Sequence, residues 1–171
     1  MRSDYLKMSS FEHILAALMP ENRLAILVSL TTGLRIDDVL HIKSADLLKD
    51  RFTVKEMKTG KTRRVRLDKK LRDEILRYSG KIYAFENRLD YKRPRTRQAV
   101  YKDIKRACEC FRVKNLNVTP HSARKIYSVE EYKRTCSVEH VQRLLNHSSE
   151  AVTLLYALAD QVTEQDKKRN R

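Results

Sequence analysis

The chain has 171 residues, enough for one domain with a buried core. Apolar residues make up 41% of it, which excludes a disordered tail, and no apolar run reaches the roughly 18 residues that a membrane-spanning helix needs. The 37 lysines and arginines outnumber the 22 aspartates and glutamates, and the resulting net charge of +15 indicates a polyanionic partner such as nucleic acid.

Several common classes of site are missing from the sequence. Cys108, Cys110 and Cys136 are odd in number and form no CxxC pair, which argues against a disulfide framework and against a zinc ribbon. Only three glycines occur, and no glycine-rich phosphate loop is present. The first residues contain no apolar signal segment. We therefore expect a cytoplasmic protein with no cofactor and no metal.

Apolar spacing predicts two helices at the start of the chain, over residues 11–19 and 21–31. Ser9 or Ser10 is expected to cap the first helix, and Pro20 is expected to end it. The second helix carries apolar residues on most of its sides, so we expect it to be largely buried.

A glycine interrupts the helical pattern within T-G-L-R-I-D-D, residues 32–38. Gly33 is typical of a helix C-cap, and a short helix is predicted over residues 36–42. Arg35 follows the break directly. Asp38 could pair with it as an ordinary surface ion pair, or could fix the direction in which its guanidinium points.

Alternation of apolar and polar residues predicts two strands, over residues 51–56 and 63–67. Gly60 lies in the turn between them, where positive φ is tolerated, so a hairpin is expected. Residues 45–48 could add a third, edge strand. The turn also carries Lys58, whose flexible ammonium group could reach a DNA phosphate, although a solvated basic hairpin is the alternative. Further DNA contacts are expected from the basic residues Lys61, Arg63 and Arg64.

Two more helices are predicted after the hairpin, over residues 68–78 and from about residue 96 to 113. The connection over residues 81–93 has only weak strand character. The longer helix has one apolar face, and its remaining surface is basic. We expect Arg95 and Arg97 on that surface to contact DNA.

The stretch T-P-H-S-A-R, residues 119–124, is typical of a helix start. Thr119 is a good N-cap and Pro120 a good first helical residue. His121 and Arg124 then lie three residues apart on one face of the first turn, where the helix dipole and the exposed N–H groups favour an anion. The alternative is a histidine that packs on its own helix cap.

The stretch L-L-N-H-S-S-E-A-V-T-L-L-Y, residues 144–156, places a tyrosine nine residues after a histidine. Ser137 is expected to cap a helix that ends at Asn146 or His147. A last helix should begin at Ser148 or Ser149 and carry Tyr156, which could also be an ordinary tyrosine at the edge of the core. The predicted core covers residues 9–159, and a polar tail covers residues 160–171.

Together these stretches supply two arginines, two histidines, a lysine and a tyrosine in one order along the chain. That order resembles the four signatures of the tyrosine recombinase (phage integrase) family, from about residue 10 to residue 160. The resemblance implies an α+β fold, mainly helical with a small antiparallel three-stranded sheet. It also implies one catalytic domain over residues 1–171, without the family's N-terminal core-binding domain.

In this family arginines hold the scissile phosphate and a lysine protonates the leaving group. The resemblance implies that Arg35 and Arg124 bind the non-bridging oxygens. It implies that Lys58 protonates the leaving 5′-oxygen. Two guanidinium groups can neutralise the charge that develops on the phosphate, so the chemistry requires no metal.

The remaining roles belong to the two histidines and the tyrosine. By resemblance, His121 assists proton transfer from the tyrosine and His147 donates a hydrogen bond to the phosphate. Tyr156 is the nucleophile, which forms a 3′-phosphotyrosyl link and leaves a 5′-hydroxyl. The sequence departs from the family pattern at Ala123, where leucine is usual, and after Tyr156, where the usual Tyr-x-His ending is absent.

The resemblance implies a site-specific recombinase or integrase encoded by a prokaryote, a phage or another mobile element. Its partner would be double-stranded DNA, on which it would form a tetramer through contacts of the C-terminal tail, while the isolated domain would be a monomer. Two alternatives stay open: a type IB topoisomerase-like enzyme, and an accessory protein that binds DNA without catalysis. A helix-turn-helix regulator would leave the hairpin and the tyrosine unexplained.

Overall fold

The structure, a computed structural model, describes residues 4–113 and 116–145. Seven α-helices, one 3-10 helix and a two-stranded antiparallel sheet lie within these residues, which confirms the predicted mainly helical α+β class. In chain order the elements are α1 (Met8–Ala16), α2 (Pro20–Thr32), α3 (Ile36–Leu40), a 3-10 helix (Ser44–Leu48), β1 (Phe52–Lys55), β2 (Thr62–Val65), α4 (Lys69–Tyr78), α5 (Arg97–Cys110), α6 (Pro120–Thr135) and α7 (Val138–Leu144).

Helix α2 is the central element of the fold. It packs against α1, α3, α4 and α6, and it is buried on several sides, as the sequence predicts. Leu24, Ala25, Ile26 and Val28 all have zero exposure. Because α2 is enclosed by four other helices, its C-terminal end is a rigid platform for the polar residues that follow it.

The start of α2 is capped from another helix. Pro20 is its first residue, rather than the end of the preceding helix, because proline has no N–H to lose in a first turn. The backbone N–H of Met19 and the side-chain Nδ2 of Asn22 both donate to Asp103 Oδ2 in α5, each at 2.8 Å. This distant carboxylate therefore satisfies the N–H of the N-cap residue, which makes no side-chain cap bond of its own, and also fixes the side chain of Asn22.

Helix α1 begins earlier than predicted. It starts at Met8, and Ser9 and Ser10 lie inside it rather than capping it. Lys7 occupies the N-cap position without a side-chain cap bond. The packing of the apolar face, which includes the fully buried Phe11, holds this helix in place without a serine cap.

Threonine and serine hydroxyls cap three later helices, as predicted for Thr119 and Ser137. Each hydroxyl accepts a hydrogen bond from a backbone N–H in the first turn, which satisfies one of the orphan donors there. The hydroxyl and N–H pairs are Thr96 with Ala99 at 3.2 Å, Thr119 with His121 at 3.2 Å, and Ser137 with His140 at 3.1 Å.

The sheet has two strands, so the predicted third strand is wrong. Residues 45–48 belong to the 3-10 helix, and only Lys43, just before it, makes an isolated antiparallel bridge to Tyr83. Leu47 is buried in this turn, while Ala45, two residues earlier, and Leu48 are both exposed, so the segment buries one residue per turn instead of alternating. In the hairpin, Phe52 lies opposite Val65 and Val54 opposite Arg63.

No helix among the described residues is long and apolar enough to cross a membrane.

Candidate active site

Gly33 ends α2 in the left-handed conformation, with φ at 67°, as predicted for a C-cap glycine. Its N–H donates to the carbonyl oxygen of Ser29 at 2.9 Å. The reversal buries Leu34 and brings Arg35 to the N-cap position of α3. The glycine thus directs the chain so that an arginine emerges at the end of the buried central helix.

Arg35 is paired with a buried carboxylate from the hairpin. Its Nη1 lies 2.6 Å from Glu56 Oε2, and the two side chains are 13% and 0% exposed. Arg35 is therefore not a surface arginine. A charge-assisted bond of this kind, largely shielded from water, fixes the direction of the guanidinium.

Asp38 contacts the hairpin rather than Arg35. Its Oδ1 accepts a hydrogen bond from the backbone N–H of Met57 at 2.8 Å, and Glu56 takes the predicted place beside Arg35. Asp38 Oδ2 is buried and has no hydrogen-bond partner among the described residues. Burial raises the pKa of this carboxyl, and the charge of Glu56 raises it further, against the Met57 N–H and the charges of Arg35 and Arg124.

Arg124 lies in the first turn of α6 and is only 5% exposed. Its Nη2 donates to the carbonyl oxygen of Leu145 at 2.8 Å, and its Nη1 donates to the carbonyl oxygen of Gly33. Burial and then the charge of Arg35 lower the pKa of Arg124 to about 10, so it keeps its charge at neutral pH. Arg35 and Arg124 thus form a pair of neighbouring cations on one platform.

The hairpin turn follows the prediction and carries its lysine outward. Gly60 has φ at 67°, and its N–H donates to the carbonyl oxygen of Glu56 at 2.8 Å. Lys58 is exposed at this turn, next to the anchored residue Met57. Lys61 and Arg64 are also exposed, as expected for residues that contact a ligand in solvent.

Arg63, which is expected to contact DNA, is turned toward the protein interior. Its Nη2 donates to the carbonyl oxygen of Thr32, and its Nη1 is buried with no hydrogen-bond partner among the described residues. Burial raises the pKa of the Tyr127 phenol, and the nearby charge of Arg63 partly opposes that rise. Arg63 has the inward register of Val65, two residues later, so the alternation of the strand turns it toward α2 and α6.

The prediction that Arg95 lies on an exposed basic surface is also wrong. Arg95 is 6% exposed, and its Nη2 lies 3.0 Å from Glu21 Oε1 in the first turn of α2. It precedes α5, in a loop where its N–H donates to the carbonyl oxygen of Phe85 at 2.7 Å, and this bond directs its side chain inward. Arg97 remains 56% exposed in a long 3.5 Å pair with Asp37, so it alone of the two is free to contact a ligand.

His121 is half-buried on the first turn of α6, three residues before Arg124. His147 and Tyr156, with the predicted last helix, lie outside the described residues. The described chain ends at Leu145, whose carbonyl Arg124 binds, two residues before His147. Across residues 4–113 and 116–145, no three His, Cys, Asp or Glu side chains are placed to hold a metal ion.

Glu56 is the site residue that the motif patterns missed. The signal was present, because Phe52, Val54 and Glu56 share one phase of the strand alternation, and that phase is the buried one. A carboxylate in a buried register is expensive unless it is paired, which predicts a cationic partner nearby. The sequence did not indicate that Arg35 is this partner.

A statistical model of the Phage integrase family matches residues 4–162. The chain belongs to the phage integrase family. Similar family members include the probable integrase/recombinase YoeC of Bacillus subtilis, 30% identical over 140 residues, which are 78% of this chain and 75% of YoeC. The tyrosine recombinase XerA of Pyrococcus furiosus is 29% identical over 143 residues, which are 79% of this chain and 49% of XerA.

Solved structures of tyrosine recombinases share the fold. A lambda integrase tetramer bound to a Holliday junction superposes with a TM-score of 0.71 at 21% identity, over 88% of this chain and 48% of that one. A XerA recombinase superposes with a TM-score of 0.70 at 20% identity, over all of this chain and 66% of that one. This chain therefore spans about half of lambda integrase and of the curated XerA, and its fold is that of a tyrosine recombinase catalytic domain.

Proposed function

We propose that this chain is the catalytic domain of a site-specific DNA recombinase or integrase. It cleaves one DNA strand at a time through a 3′-phosphotyrosyl intermediate and rejoins it to another strand. The observation that carries the proposal is the pair of oriented guanidinium groups, Arg35 and Arg124. They come from distant parts of the chain and are close enough for the charge of one to lower the pKa of the other.

Two neighbouring arginines are costly to bury and suit a dianionic transition state. Attack on a phosphodiester adds negative charge to its non-bridging oxygens, and Arg35 and Arg124 would bind those oxygens. One unit charge pair at contact is worth roughly 4 kcal/mol at an effective dielectric constant near 20, before repulsion and desolvation are subtracted. The two backbone bonds of Arg124 use two of its five N–H groups, so further donors can reach a phosphate.

The proton transfers are assigned to residues on either side of this pair. Tyr156 attacks phosphorus, His121 assists removal of its proton, and His147 donates a hydrogen bond to the phosphate. Lys58, exposed at the hairpin turn, gives a proton to the leaving 5′-oxygen as the phosphorus–oxygen bond breaks. The tyrosyl ester keeps the energy of the broken bond, so rejoining needs no ATP.

Double-stranded DNA is the proposed substrate. The net charge of +15 supports a polyanionic ligand, and the lambda integrase tetramer that shares this fold is bound to a Holliday junction. Lys61, Arg64 and Arg97 are exposed and would contact phosphates outside the cleavage site. On DNA we propose a tetramer, with residues 160–171 contacting a neighbouring protomer, and action in the cytoplasm on a mobile element.

A nicked DNA half-site tests the proposal, because the cleaved fragment diffuses away and traps the covalent intermediate. The wild-type chain should give a DNA-linked band on a denaturing gel, and Tyr156→Phe should give none. Tight, salt-dependent binding without a covalent band, even when a core-binding domain is supplied by fusion, would instead support the accessory protein. Relaxation of supercoiled DNA without strand exchange would support the topoisomerase.

A further inference from the structure

Glu56 is a fully buried carboxylate outside the catalytic set. Its Oε2 lies 2.6 Å from Arg35 Nη1, and the same oxygen accepts a hydrogen bond from Thr59 Oγ1 at 3.2 Å. One oxygen atom therefore contacts both the arginine at the start of α3 and the turn that carries Lys58. The side chain of Glu56 is 0% exposed.

The backbone of Glu56 closes the same turn. Its N–H donates to the carbonyl oxygen of Lys61 at 2.9 Å, and its carbonyl oxygen accepts from the N–H of Gly60 at 2.8 Å. Met57, the next residue, is tied to Asp38 Oδ1 at 2.8 Å. The turn around Lys58 is thus fixed at both ends, and its position depends on the position of Glu56.

We propose that Glu56 is a positioning residue that holds Arg35 and Lys58 in one fixed relation to the scissile phosphate. This inference rests on the proposed function. Arg35 would meet the non-bridging oxygens and Lys58 the bridging 5′-oxygen of the same phosphate, so the angle between the two side chains matters. A fixed carboxylate between them removes the need to find that angle at each turnover.

The negative charge of Glu56 also stabilises the two neighbouring arginines in their charged form. Arg35 and Arg124 repel each other, and Arg35 is held mostly out of water. The charge of Glu56 favours the protonated form of Arg124, and its direct bond to Arg35 offsets the burial of that cation. A neutral glutamine could keep the hydrogen bonds but would lose this compensation.

The test separates the two residues that Glu56 is proposed to hold. With a normal substrate the phosphorus–oxygen bond breaks and the 5′-oxygen must receive a proton from Lys58. With sulfur in the bridging position the phosphorus–sulfur bond breaks and a stable thiolate leaves without a proton. Arg35 is needed for both substrates, whereas Lys58 is needed only for the first.

The experiment measures single-turnover formation of the covalent adduct on nicked half-sites with bridging oxygen or bridging sulfur. The full chain is compared with Glu56→Gln and with Lys58→Ala as the reference for a lost acid. We expect Glu56→Gln to slow the oxygen substrate by about 10- to 100-fold and the sulfur substrate by clearly less. The remaining defect on sulfur would report the disturbed Arg35.

Two further variants keep the test sharp. Thr59→Val removes the hydroxyl that ties Glu56 to the turn but leaves the Arg35 pair, so it should slow the oxygen substrate severalfold and leave the sulfur rate unchanged. Glu74→Gln removes a carboxylate from a half-exposed ion pair with Arg23 and should change neither rate. Thr59→Val also serves if Glu56→Gln fails to fold.

Three results would overturn the proposal. One is an oxygen rate for Glu56→Gln within about threefold of wild type. Another is an equal loss of rate on both substrates in Glu56→Gln. If the melting temperature also falls, that result would indicate a structural role for Glu56. If it does not fall, the result would indicate an effect on Arg35 alone. If the wild-type chain gives no adduct on either substrate even when a core-binding domain is fused to it, the proposed function itself fails, and the role of Glu56 fails with it.

Discussion

Arg124 donates a hydrogen bond from Nη1 to the carbonyl oxygen of Gly33, 91 residues earlier in the chain. Its Nη2 donates to the carbonyl oxygen of Leu145, at the end of α7. One guanidinium therefore joins the stretch that contains Arg35 to the stretch that leads to His147. Arg124 therefore holds these two stretches together, in addition to its proposed role in binding the phosphate.

Replacing Arg124 with lysine should abolish most of the activity. A single ammonium group cannot span both carbonyls, and the loss of one oriented donor at a developing charge typically costs about 10²- to 10³-fold in rate. An unsatisfied buried carbonyl should also cost about 1–3 kcal/mol in the free energy of unfolding. Adduct formation and thermal unfolding measure the two effects. Arg134→Lys, an exposed pair with Glu131, is the control, and an Arg124→Lys enzyme close to wild type in rate would contradict the assignment.

Gly33 and Gly60 offer a matched pair of backbone variants, since both have φ at 67°. A Cβ on Gly33 would lie 2.5 Å from the Tyr127 ring, whereas a Cβ on Gly60 would meet nothing within 4 Å. Gly60→Ala should therefore lower the free energy of unfolding only by the cost of the left-handed conformation, about 1–2 kcal/mol. In Gly33→Ala, overpacking should lower the free energy of unfolding by about 1–3 kcal/mol more. The same substitution should disturb Arg124, because Arg124 donates to the Gly33 carbonyl oxygen. Denaturant unfolding compares the two, and equal losses would contradict the predicted clash.

Arg63 and Arg64 are neighbours in β2 with opposite roles. Arg64 is exposed, and its replacement by alanine should reduce the log–log slope of DNA affinity against salt by about 0.9. Arg63 binds the Thr32 carbonyl, so Arg63→Ala should leave that slope unchanged while lowering the melting temperature and the rate of cleavage. Titrations at several salt concentrations distinguish them. The same change in slope for both variants would show that Arg63 also contacts DNA.

Asp38 should make the stability of the protein depend on pH. Its folded pKa is raised above the ordinary 3.8, so the folded state holds the proton more tightly than the unfolded state does. The stabilising contribution is therefore present below pH 3.8 and is lost as pH rises through the folded pKa. The wild type should lose this contribution between about pH 4 and pH 7, whereas Asp38→Asn cannot titrate. The melting temperature of the variant minus that of the wild type should therefore rise over this range. A constant difference across that range would contradict the raised pKa, and Asp37→Asn on the same short helix controls for the loss of a carboxylate.

The local features of this fold could be predicted from its sequence. Gly33 and Gly60 at their turns, Thr119 as an N-cap and the hairpin around Lys58 all follow from patterns that span a few residues. The third strand could not be predicted correctly, because a four-residue segment with two leucines fits a strand edge and a 3-10 turn equally well. Its choice between them depends on which leucine the neighbouring helices bury.

The candidate site residues also divide into those that the sequence indicated and those whose position only the structure shows. The resemblance to the family identified Arg35, Arg124 and Lys58, and the structure brings the two arginines together on the platform that α2 provides. His121 lies in the first turn of α6, three residues before Arg124, and the catalytic roles of all six residues stay predictions from the resemblance. The sequence also indicated a basic protein, but it did not separate the arginines that face solvent from those that face the interior.

The sequence by itself determined most of the described helices, the hairpin and the order of the family motifs, because propensity, capping and periodicity act between residues that are close along the chain. Only the tertiary structure decided which charged groups meet. Glu56 pairs with Arg35, Glu21 with Arg95, and the Thr32 carbonyl with Arg63, at separations of 21, 74 and 31 residues. Each of these contacts depends on how whole elements pack against α2, and no local pattern of residues records that arrangement.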